Sequence, residues 1–408
     1  MTFPRTRTAV LWGAFLAAHL LVAWLGWALP HQPMGDVTLV YDPWSRSALS
    51  GGAVVGITET WVYPQLALVP MILAQLLAWP LTILAGADAY LLAWALLVTV
   101  LDLVAFAVLT GRRPAGPRRA AGWFWCAALL ALGPVALYRI DAITVPLALL
   151  AGLWISRRPA VAAVLLVVGA WIKIWPGALL AAAVLAAPRR LRLLAAGMLA
   201  MAAIVAVLFL LGAGSELFGF LSEQSRRGLQ IEAVAATPFL WSAAAGGARI
   251  VYSHDILTFQ IVAAQAELVA ALTLPALVLA VGSLLLVGGF AAARGASFRR
   301  LFPPLSLALV LALIVFNKVG SPQFLVWLFV PVMLWIALDR ARSAVPAILT
   351  LVLCGLTFAV YPVLYGDLLA AEVLPIVVLS VRNALLVVLL VLCSTDLVRV
   401  LRHPHART

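Results

Sequence analysis

The chain is poor in charged residues. Only 10% of its 408 residues are charged, whereas 65% are hydrophobic and the mean hydropathy is +1.12. A soluble protein of this length could not bury so much apolar surface, because much of its own surface must face water. A bilayer removes that constraint, since about 20 consecutive apolar residues form a spanning helix there. The composition therefore excludes a soluble enzyme and predicts an all-α polytopic membrane protein.

Lysine is nearly absent. Of the 27 basic residues only Lys173 and Lys318 are lysines, and the arginines stand in short clusters between apolar runs. That distribution is typical of cytoplasmic loops that flank membrane helices. The net charge of +12 therefore indicates membrane topology, and we expect no nucleic-acid partner.

Cysteine is also scarce. Cys126, Cys354 and Cys393 lie inside apolar segments, and their spacing fits neither a disulfide framework nor a metal site. We predict small buried side chains there, no metal and no cofactor. The first apolar run, 9–29, is long for a signal peptide and lacks a small-residue cleavage site, which predicts a retained first span.

The arginine clusters predict the topology of a single domain, 1–408. If every cluster is cytoplasmic, an even number of crossings must separate neighbouring clusters. About twelve spans satisfy that rule. The clusters are Arg112, Arg113, Arg118 and Arg119; Arg157 and Arg158; Arg189, Arg190 and Arg192; Arg294, Arg299 and Arg300; Arg340 and Arg342; and Arg399 and Arg402. The predicted spans are 9–29, 89–110, 120–137, 142–156, 160–174, 176–188, 191–212, 267–293, 301–317, 322–339, 344–362 and 373–398.

One apolar run has no place in this count. Segment 63–86 lies between the first span and the first arginine cluster, where parity allows no additional crossing. We predict that this segment, which contains Pro64, Pro70 and Pro80, lies at the outer interface or re-enters the bilayer. An inverted amino terminus is the alternative, and the basic residues before the first span oppose it.

This topology places the polar residues outside the cytoplasm. They fall in a first loop at 30–62, in a turn at 138–141, in a long loop at 213–266 and in a turn around Lys318. Charged groups inside spans are costly, so Lys173 and Lys318 are candidate site residues, with snorkelling to the interface as the alternative. Arg139 and Asp141 either belong to a site or close a hairpin with a salt bridge.

The first loop supplies three candidate general bases. Asp36, Asp42 and Glu59 could each deprotonate a hydroxyl acceptor, and the residues alone do not rank them. Behind Asp36, the spacing of Tyr41, Trp44 and Leu49 predicts an amphipathic interfacial helix.

Six fragments in order resemble glycosyltransferase family 87, a family of polyprenyl-phosphate-mannose-dependent mannosyltransferases of the C superfamily. The resemblance covers nearly the whole chain, although Gln65 replaces the second proline of the family's YPP motif and Ala233 a frequent serine. The matching fragments are Asp36-Val37 with Val40-Tyr41, Tyr63-Pro64-Gln65-Leu66-Ala67, Arg139-Ile140-Asp141, Ile172-Lys173-Ile174-Trp175-Pro176, Arg227-Gly228-Leu229-Gln230-Ile231-Glu232, and Asn317-Lys318 with Ser321-Pro322-Gln323-Phe324.

The resemblance implies a helical bundle of the C superfamily with an extracytoplasmic active site and a single catalytic base. That base would be Asp36, acting by inversion on a polyprenyl-phosphate sugar donor and a glycolipid or glycan acceptor. The cations that would bind the donor phosphate are Arg139, Lys173, Arg227 and Lys318. The residues that would bind substrate are Tyr41, Tyr63, Asp141, Gln230, Glu232, Asn317 and Gln323. Trp44, Trp61 and Trp175 would stack on sugars or belong to an aromatic belt.

Other functions stay open at this point. A lipid or sugar transporter or flippase would also have many spans and buried charges, although no internal repeat is visible. A scaffold protein would not need charges inside spans, and arabinose is an alternative donor sugar. The richness in arginine, alanine and leucine suggests the cell membrane of a high-GC bacterium, by analogy an actinobacterium.

Overall fold

The computed structural model describes residues 4–111, 116–253 and 258–405, with the side chains of 4–7 and Ser225 excepted. The chain is 79% helical, which confirms the all-α class. Its contacts divide it into two compact units. Unit 1 comprises residues 1–180 and 188–225, and unit 2 comprises residues 181–187 and 226–408.

Unit 1 is built from α-helices joined by short 3₁₀ turns. Its helices are α1 (Pro4–Ala28), α2 (Asp42–Leu49), α3 (Leu68–Ala85), α4 (Ala89–Thr110), α5 (Gly116–Leu132), α6 (Ile140–Trp154), α7 (Pro159–Ile172), α9 (Arg190–Leu210) and α10 (Gly219–Arg226), with α8 (Pro176–Ala186) crossing the boundary. A π-helical turn, Val37–Tyr41, leads directly into α2. The predicted helix in the first loop is therefore present.

Helices α1, α4 and α5 define two ends of unit 1. Near the start of α1, Trp12 meets the ring of Phe106 edge-on at 5.1 Å, and Phe106 lies in the last part of α4. Near the end of α1, the Tyr138 hydroxyl donates to the carbonyl of Ala23 at 3.2 Å. Early in α4, the Trp94 indole donates to the carbonyl of Leu137 at 3.1 Å. Helix α4 thus starts where α1 finishes, and we call that side the loop end and the other the arginine end.

The arginine end of unit 1 carries Arg118 and Arg119 at the start of α5. The neighbouring Arg112 and Arg113 lie outside the described residues. At mid-height, the ring of His19 in α1 lies 3.1 Å from a carboxylate oxygen of Asp102 in α4, and both side chains are buried. Burying the two partners against each other avoids leaving either polar group alone in an apolar interior.

Helix α3 is continuous despite its prolines. Pro70 falls in its first turn, where its missing N–H costs nothing, and Pro80 is accommodated in the interior. The Tyr90 hydroxyl, at the start of α4, donates to the carbonyl of Met71 at 3.2 Å. The start of α4 therefore packs against the first half of α3, and the two helices are in extensive contact.

Unit 2 contains the two longest helices, α12 (Ala266–Ala293) and α17 (Val373–Arg402), and one antiparallel strand pair. Gly288 of α12 lies against the side chain of Leu305 of α13, where a β-carbon would come within 3.0 Å. Such small residues allow membrane helices to approach closely. The elements are α11 (Thr237–Ala244), α12 (Ala266–Ala293), α13 (Phe298–Val315), α14 (Phe329–Leu338), α15 (Ala344–Phe358), α16 (Tyr365–Leu369), α17 (Val373–Arg402), β1 (Arg249–Ser253) and β2 (Thr258–Val262).

Within the described residues, eight helical stretches are long and apolar enough to cross a membrane. In α9 and α12 only 17% of the most apolar window is buried, so large aliphatic side chains such as Leu199 and Leu279 face outwards. Contiguous exposed apolar surface of this kind marks contact with lipid or with another protein. The chain therefore has the character of a polytopic membrane protein.

Candidate functional site

The loop end of unit 1 holds Asp36 next to Arg139. The Arg139 Nε atom lies 3.4 Å from a carboxylate oxygen of Asp36, and Arg139 also donates from Nη1 to the carbonyl of Tyr138 at 3.2 Å. The guanidinium is almost fully buried, whereas the Asp36 side chain is 35% exposed. A buried cation thus holds a carboxylate that a substrate can still reach.

Tyr41 joins these two residues. The π-helical turn at Val37–Tyr41 brings residues five apart onto one face, so the Tyr41 hydroxyl donates to Asp36 at 3.5 Å. The same hydroxyl accepts from the backbone N–H of Ile140 at 3.1 Å, at the start of α6. Complete burial, followed by the nearby Tyr63 and Asp36, raises the pKa of Tyr41 well above its usual value. The phenol therefore stays neutral and serves as a hydrogen-bond donor to Asp36.

Asp141 and Lys173 form a second carboxylate–cation pair in the same unit. Asp141 lies in the first turn of α6, where the helix dipole stabilises a negative charge. Its carboxylate is fully buried, and one oxygen is 3.5 Å from the Lys173 ammonium. Lys173 follows the last residue of α7, in the break before α8, and its ammonium lies 4.7 Å from the ring centroid of Tyr63.

The break between α7 and α8 is fixed to α6 by hydrogen bonds. The indole N–H of Trp175 donates to the Thr144 hydroxyl at 2.8 Å, and that hydroxyl donates to the carbonyl of Asp141 at 2.6 Å. Trp175 is fully buried, so its indole belongs to the packing of unit 1 and is not a surface for sugar stacking. The hydrogen bonds of Trp175, two residues after Lys173, therefore hold the break next to Asp141.

Three aromatic side chains extend this site. The rings of Trp44, Trp61 and Tyr63 contact one another edge-to-face, with centroids 5.3 to 6.1 Å apart. Trp61 is buried, and its indole nitrogen has no hydrogen-bond partner among the described residues. Buried donors are normally paired, so this indole N–H is an exception within the aromatic cluster.

The two competing acids of the first loop have different surroundings. Asp42 pairs with Arg46 one helical turn later, at 2.6 Å, on an exposed face of α2. Glu59 is exposed, and its backbone carbonyl accepts from Gly56. Asp36 alone among the three contacts both Arg139 and Tyr41.

Gln65 makes hydrogen bonds to a segment of unit 1 that is distant in sequence, around residues 216–217. Its side-chain amide donates to the carbonyls of Glu216 and Leu217, at 2.8 and 3.1 Å. The Gln224 amide similarly donates to the carbonyl of Val62 at 3.3 Å. Gln65 thus makes side-chain contacts that a proline at this position could not make.

A second group of predicted residues lies in unit 2. The backbone N–H of Gln230 donates to the carbonyl of Lys318 at 3.0 Å. With its amide nitrogen directed to the carbonyl of Gly320 at 3.0 Å, the Gln230 side-chain oxygen accepts from Arg227 at 3.1 Å. These contacts join segment 227–232 to the turn at 317–320.

Gly320 shows how tightly these segments fit. A β-carbon at this position would come within 3.0 Å of the backbone of Glu232 and Ala233. Backbone atoms cannot move aside as a flexible side chain can, so only glycine fits. The close approach explains why the turn after Lys318 is built around a glycine.

Glu232 is paired with an arginine that the sequence reasoning missed. Arg382, in the middle of α17, donates from Nη1 to the Glu232 carboxylate at 2.8 Å and from Nη2 to the Glu232 carbonyl at 2.6 Å. Its remaining contacts go to the side-chain oxygen of Asn383. Both charged side chains are only 3% exposed. A charged residue within the apolar run 373–398 was the signal that could have identified Arg382.

The other predicted residues of unit 2 lie in or after the same turn. The Asn317 side-chain oxygen accepts from the backbone N–H of Val319 at 2.9 Å and so shapes the turn. Burial, followed by the positive charge of Arg227, lowers the pKa of Lys318. Gln323 is buried in the 3₁₀ turn Pro322–Leu328.

The comparisons with known proteins give no relative: no family model, no curated protein and no solved structure matches the chain. Among residues 4–111, 116–253 and 258–405, no group of three histidine, cysteine or acidic side chains is arranged to hold a metal ion.

Proposed function

We propose that this protein is an integral membrane glycosyltransferase that transfers mannose from a polyprenyl-phosphate donor to an envelope glycolipid or glycan, with inversion. The observation that carries the proposal is the pair of carboxylate–cation contacts in unit 1, Asp36 with Arg139 and Asp141 with Lys173. The four side chains come from the first loop, the start of α6 and the end of α7. Their convergence at one end supports a site that handles both a hydroxyl nucleophile and a phosphate leaving group.

Exposure assigns the two carboxylates different roles. Asp36 is 35% exposed and Asp141 is fully buried, so only Asp36 can reach an acceptor hydroxyl. Asp36 would take the hydroxyl proton as the acceptor oxygen attacks the anomeric carbon of the sugar. The bond from that carbon to the phosphate oxygen breaks, and the polyprenyl phosphate leaves with the electron pair. Tyr41 and Arg139 hold Asp36 in place for this step.

The leaving phosphate gains negative charge and needs cations. Lys173 provides a compact ammonium within unit 1, oriented by Asp141 and by the ring of Tyr63. Arg139 offers a planar fork suited to phosphate. By resemblance, Arg227 and Lys318 are proposed as further phosphate-binding cations, with Gln230, Glu232, Asn317 and Gln323 as residues that recognise substrate. Because Arg382 already pairs with its carboxylate, Glu232 would contribute indirectly, by holding segment 227–232 in the position from which Gln230 contacts substrate.

The proposed fold is a C-superfamily bundle of about twelve spans with an extracytoplasmic site. The structure has eight long candidate spans when Gln65–Thr110 is counted once. Adding four of the shorter apolar helices gives twelve. The four shorter helices are Ile140–Trp154, Pro159–Ile172, Pro176–Ala186 and Pro322–Leu338. The positive-inside rule assigns the arginine end of unit 1 to the cytoplasm and therefore its loop end to the outside.

We propose that α3 makes no complete crossing. Segment 29–88 begins and ends at the loop end of unit 1, because α1 finishes and α4 starts there. The Ser45 hydroxyl of α2 also donates to the Gln75 side chain at 3.4 Å, halfway along α3. An interfacial α2 would therefore keep the middle of α3 near the same interface, as the parity argument requires.

The test is mannose transfer by the purified full-length protein. Wild type, Asp36→Asn and Asp42→Asn are incubated with polyprenyl-phosphate mannose and an envelope lipid extract, and mass spectrometry reads the products. We expect wild type to add a hexose and Asp36→Asn to lose about 10²- to 10⁴-fold in rate, the usual contribution of a general base. Asp42→Asn removes an acid from the same loop without touching Arg139, so it should transfer like wild type.

Each other outcome has a definite meaning. If Asp36→Asn is fully active while wild type transfers, the reaction stands and the base is another acid, with Glu59 the next to test. If wild type forms no product from either a mannosyl or an arabinosyl donor, the transferase proposal is rejected. A lipid or sugar flux assay on proteoliposomes would then test the transporter.

A further inference from the structure

A groove in unit 2 is lined by none of the residues assigned to the proposed reaction. It has a volume of about 690 Å³, within the range of small-molecule sites, and it lies between α12, α13 and α17. Aliphatic side chains line most of it, together with Phe316. The hydroxyls of Ser394 and Thr395 are turned to carbonyls of their own helix, at 2.8 and 2.9 Å. The wall is therefore effectively apolar.

Arginines line one end of this groove. Arg399 and Arg402 occupy the last turn of α17 and are exposed. Among the described residues, no carboxylate lies within ion-pair distance of either guanidinium. The contrast with Arg342 is direct, because that arginine contacts both Asp339 and Asp396. Two cations without counter-charges thus stand beside an apolar channel.

The carbonyls at the end of α17 are capped by other arginines. Arg300 donates to the carbonyl of His403 at 2.7 Å, and Arg294 donates to that of Leu401 at 3.4 Å. These contacts satisfy acceptors that a helix C-terminus leaves open. Arg399 and Arg402 are thus not required for capping and can serve an external anion.

We propose that this groove binds one anionic phospholipid, with an acyl chain between α12 and α17 and the phosphodiester on Arg399 and Arg402. The lining runs along α17 from Leu390 to Arg402, about 18 Å of helix. One leaflet of the hydrocarbon core is about 15 Å deep, half of the whole core. The groove is therefore long enough to hold the acyl chain of a lipid from one leaflet, with its head group at the interface where the cations lie. The positive-inside rule makes this the cytoplasmic leaflet.

The test uses the full-length protein and native mass spectrometry in detergent with added phosphatidylglycerol or phosphatidylcholine. Wild type should retain one phosphatidylglycerol in preference to phosphatidylcholine. Arg399→Gln with Arg402→Gln should weaken retention about 30-fold, since each arginine near an anionic surface contributes about 1 kcal/mol, which is roughly a factor of five. Ser283→Trp should block the groove and abolish retention of that one lipid.

Matched controls distinguish a specific lipid site from general electrostatic attraction between the protein and anionic lipid. Arg189→Gln with Arg190→Gln removes two exposed arginines from the start of α9, and Leu286→Trp adds an indole to α12 away from the groove lining. Both controls should retain the lipid. Equal loss in the arginine control, or equal retention of phosphatidylcholine by wild type, would overturn the proposal. Circular dichroism and size-exclusion profiles check that every variant is folded.

Discussion

The two units handle buried charge in opposite ways. In unit 1 the Asp36–Arg139 and Lys173–Asp141 contacts are long, at 3.4 and 3.5 Å, and Asp36 is partly exposed. In unit 2 the Glu232–Arg382 contact is 2.8 Å, and Arg382 makes further hydrogen bonds to the Glu232 carbonyl and to Asn383. The saturated pair has little capacity left for a ligand, whereas the looser pairs keep polar atoms available. Saturation thus distinguishes a structural ion pair from one that can serve chemistry.

The largest effect is expected from breaking the saturated pair. Arg382→Met should lower the free energy of unfolding by about 3–5 kcal/mol, because it leaves the Glu232 carboxylate buried without a counter-charge. Thermal unfolding of the detergent-solubilised protein measures the loss. Adding Glu232→Gln removes the stranded charge and should restore much of the stability. If the double variant is as unstable as the single one, the charge pair is not the reason for the instability.

Lys173→Met should lower stability less than Arg382→Met does, and it should also lower the rate of sugar transfer. The contact with Asp141 is looser than the Arg382 pair, so we expect a loss of about 2 kcal/mol. Combining it with Asp141→Asn should recover stability, measured by thermal unfolding. Transfer activity should not recover, because the cation for the leaving phosphate is still missing. Recovery of activity in the double variant would assign Lys173 a structural role only.

Trp175→Phe tests the support of Lys173 and should be milder. The change removes the hydrogen bond to Thr144 but keeps an aromatic ring, so the free energy of unfolding should fall by about 1 kcal/mol. Thermal unfolding measures this fall, with Trp24→Phe on an exposed face of α1 as the control. A fall no larger than in the control would show that the break between α7 and α8 is held by packing alone.

The smallest effect concerns pH. The lowered pKa of Lys318 means that its positive charge is lost, as pH rises, earlier than for an ordinary lysine. If this charge binds the donor phosphate, transfer should decline at alkaline pH through the lysine's titration. Lys318→Arg should extend activity to higher pH, because arginine stays charged, with little change near neutral pH. An unchanged alkaline limb of the kcat/KM profile would remove Lys318 from phosphate binding.

Hydropathy predicted the long helices because a spanning helix leaves a simple signal. The helices at 140–154, 159–172 and 176–186 are shorter than a full crossing, so apolar length alone does not establish them as spans. The proposal of one domain over 1–408 remains untested beside the two compact units. The long segment 213–266 contains the β1–β2 pair, which was not foreseen although its β-branched and aromatic residues favour strands.

The site was predictable where spacing and topology act together. Arg139 and Asp141 share one turn, and Asp36 and Lys173 were assigned to the same face, so their proximity followed from the predicted topology. The π-helical turn that links Tyr41 to Asp36 could not be read from the sequence, because it depends on how α2 packs. Arg382 was missed because a strongly apolar run masks a single charge when hydropathy is averaged.

The absence of a side chain at Gly320 has a genetic consequence. Its neighbours belong to a segment almost ninety residues earlier in the chain, and both are backbone, so neither can be trimmed by a second substitution. In a saturation screen, position 320 should tolerate no replacement, and suppressors should not arise at Glu232 or Ala233. The close backbone contact between the two segments would then fix glycine at position 320 whatever side chains stand at positions 232 and 233.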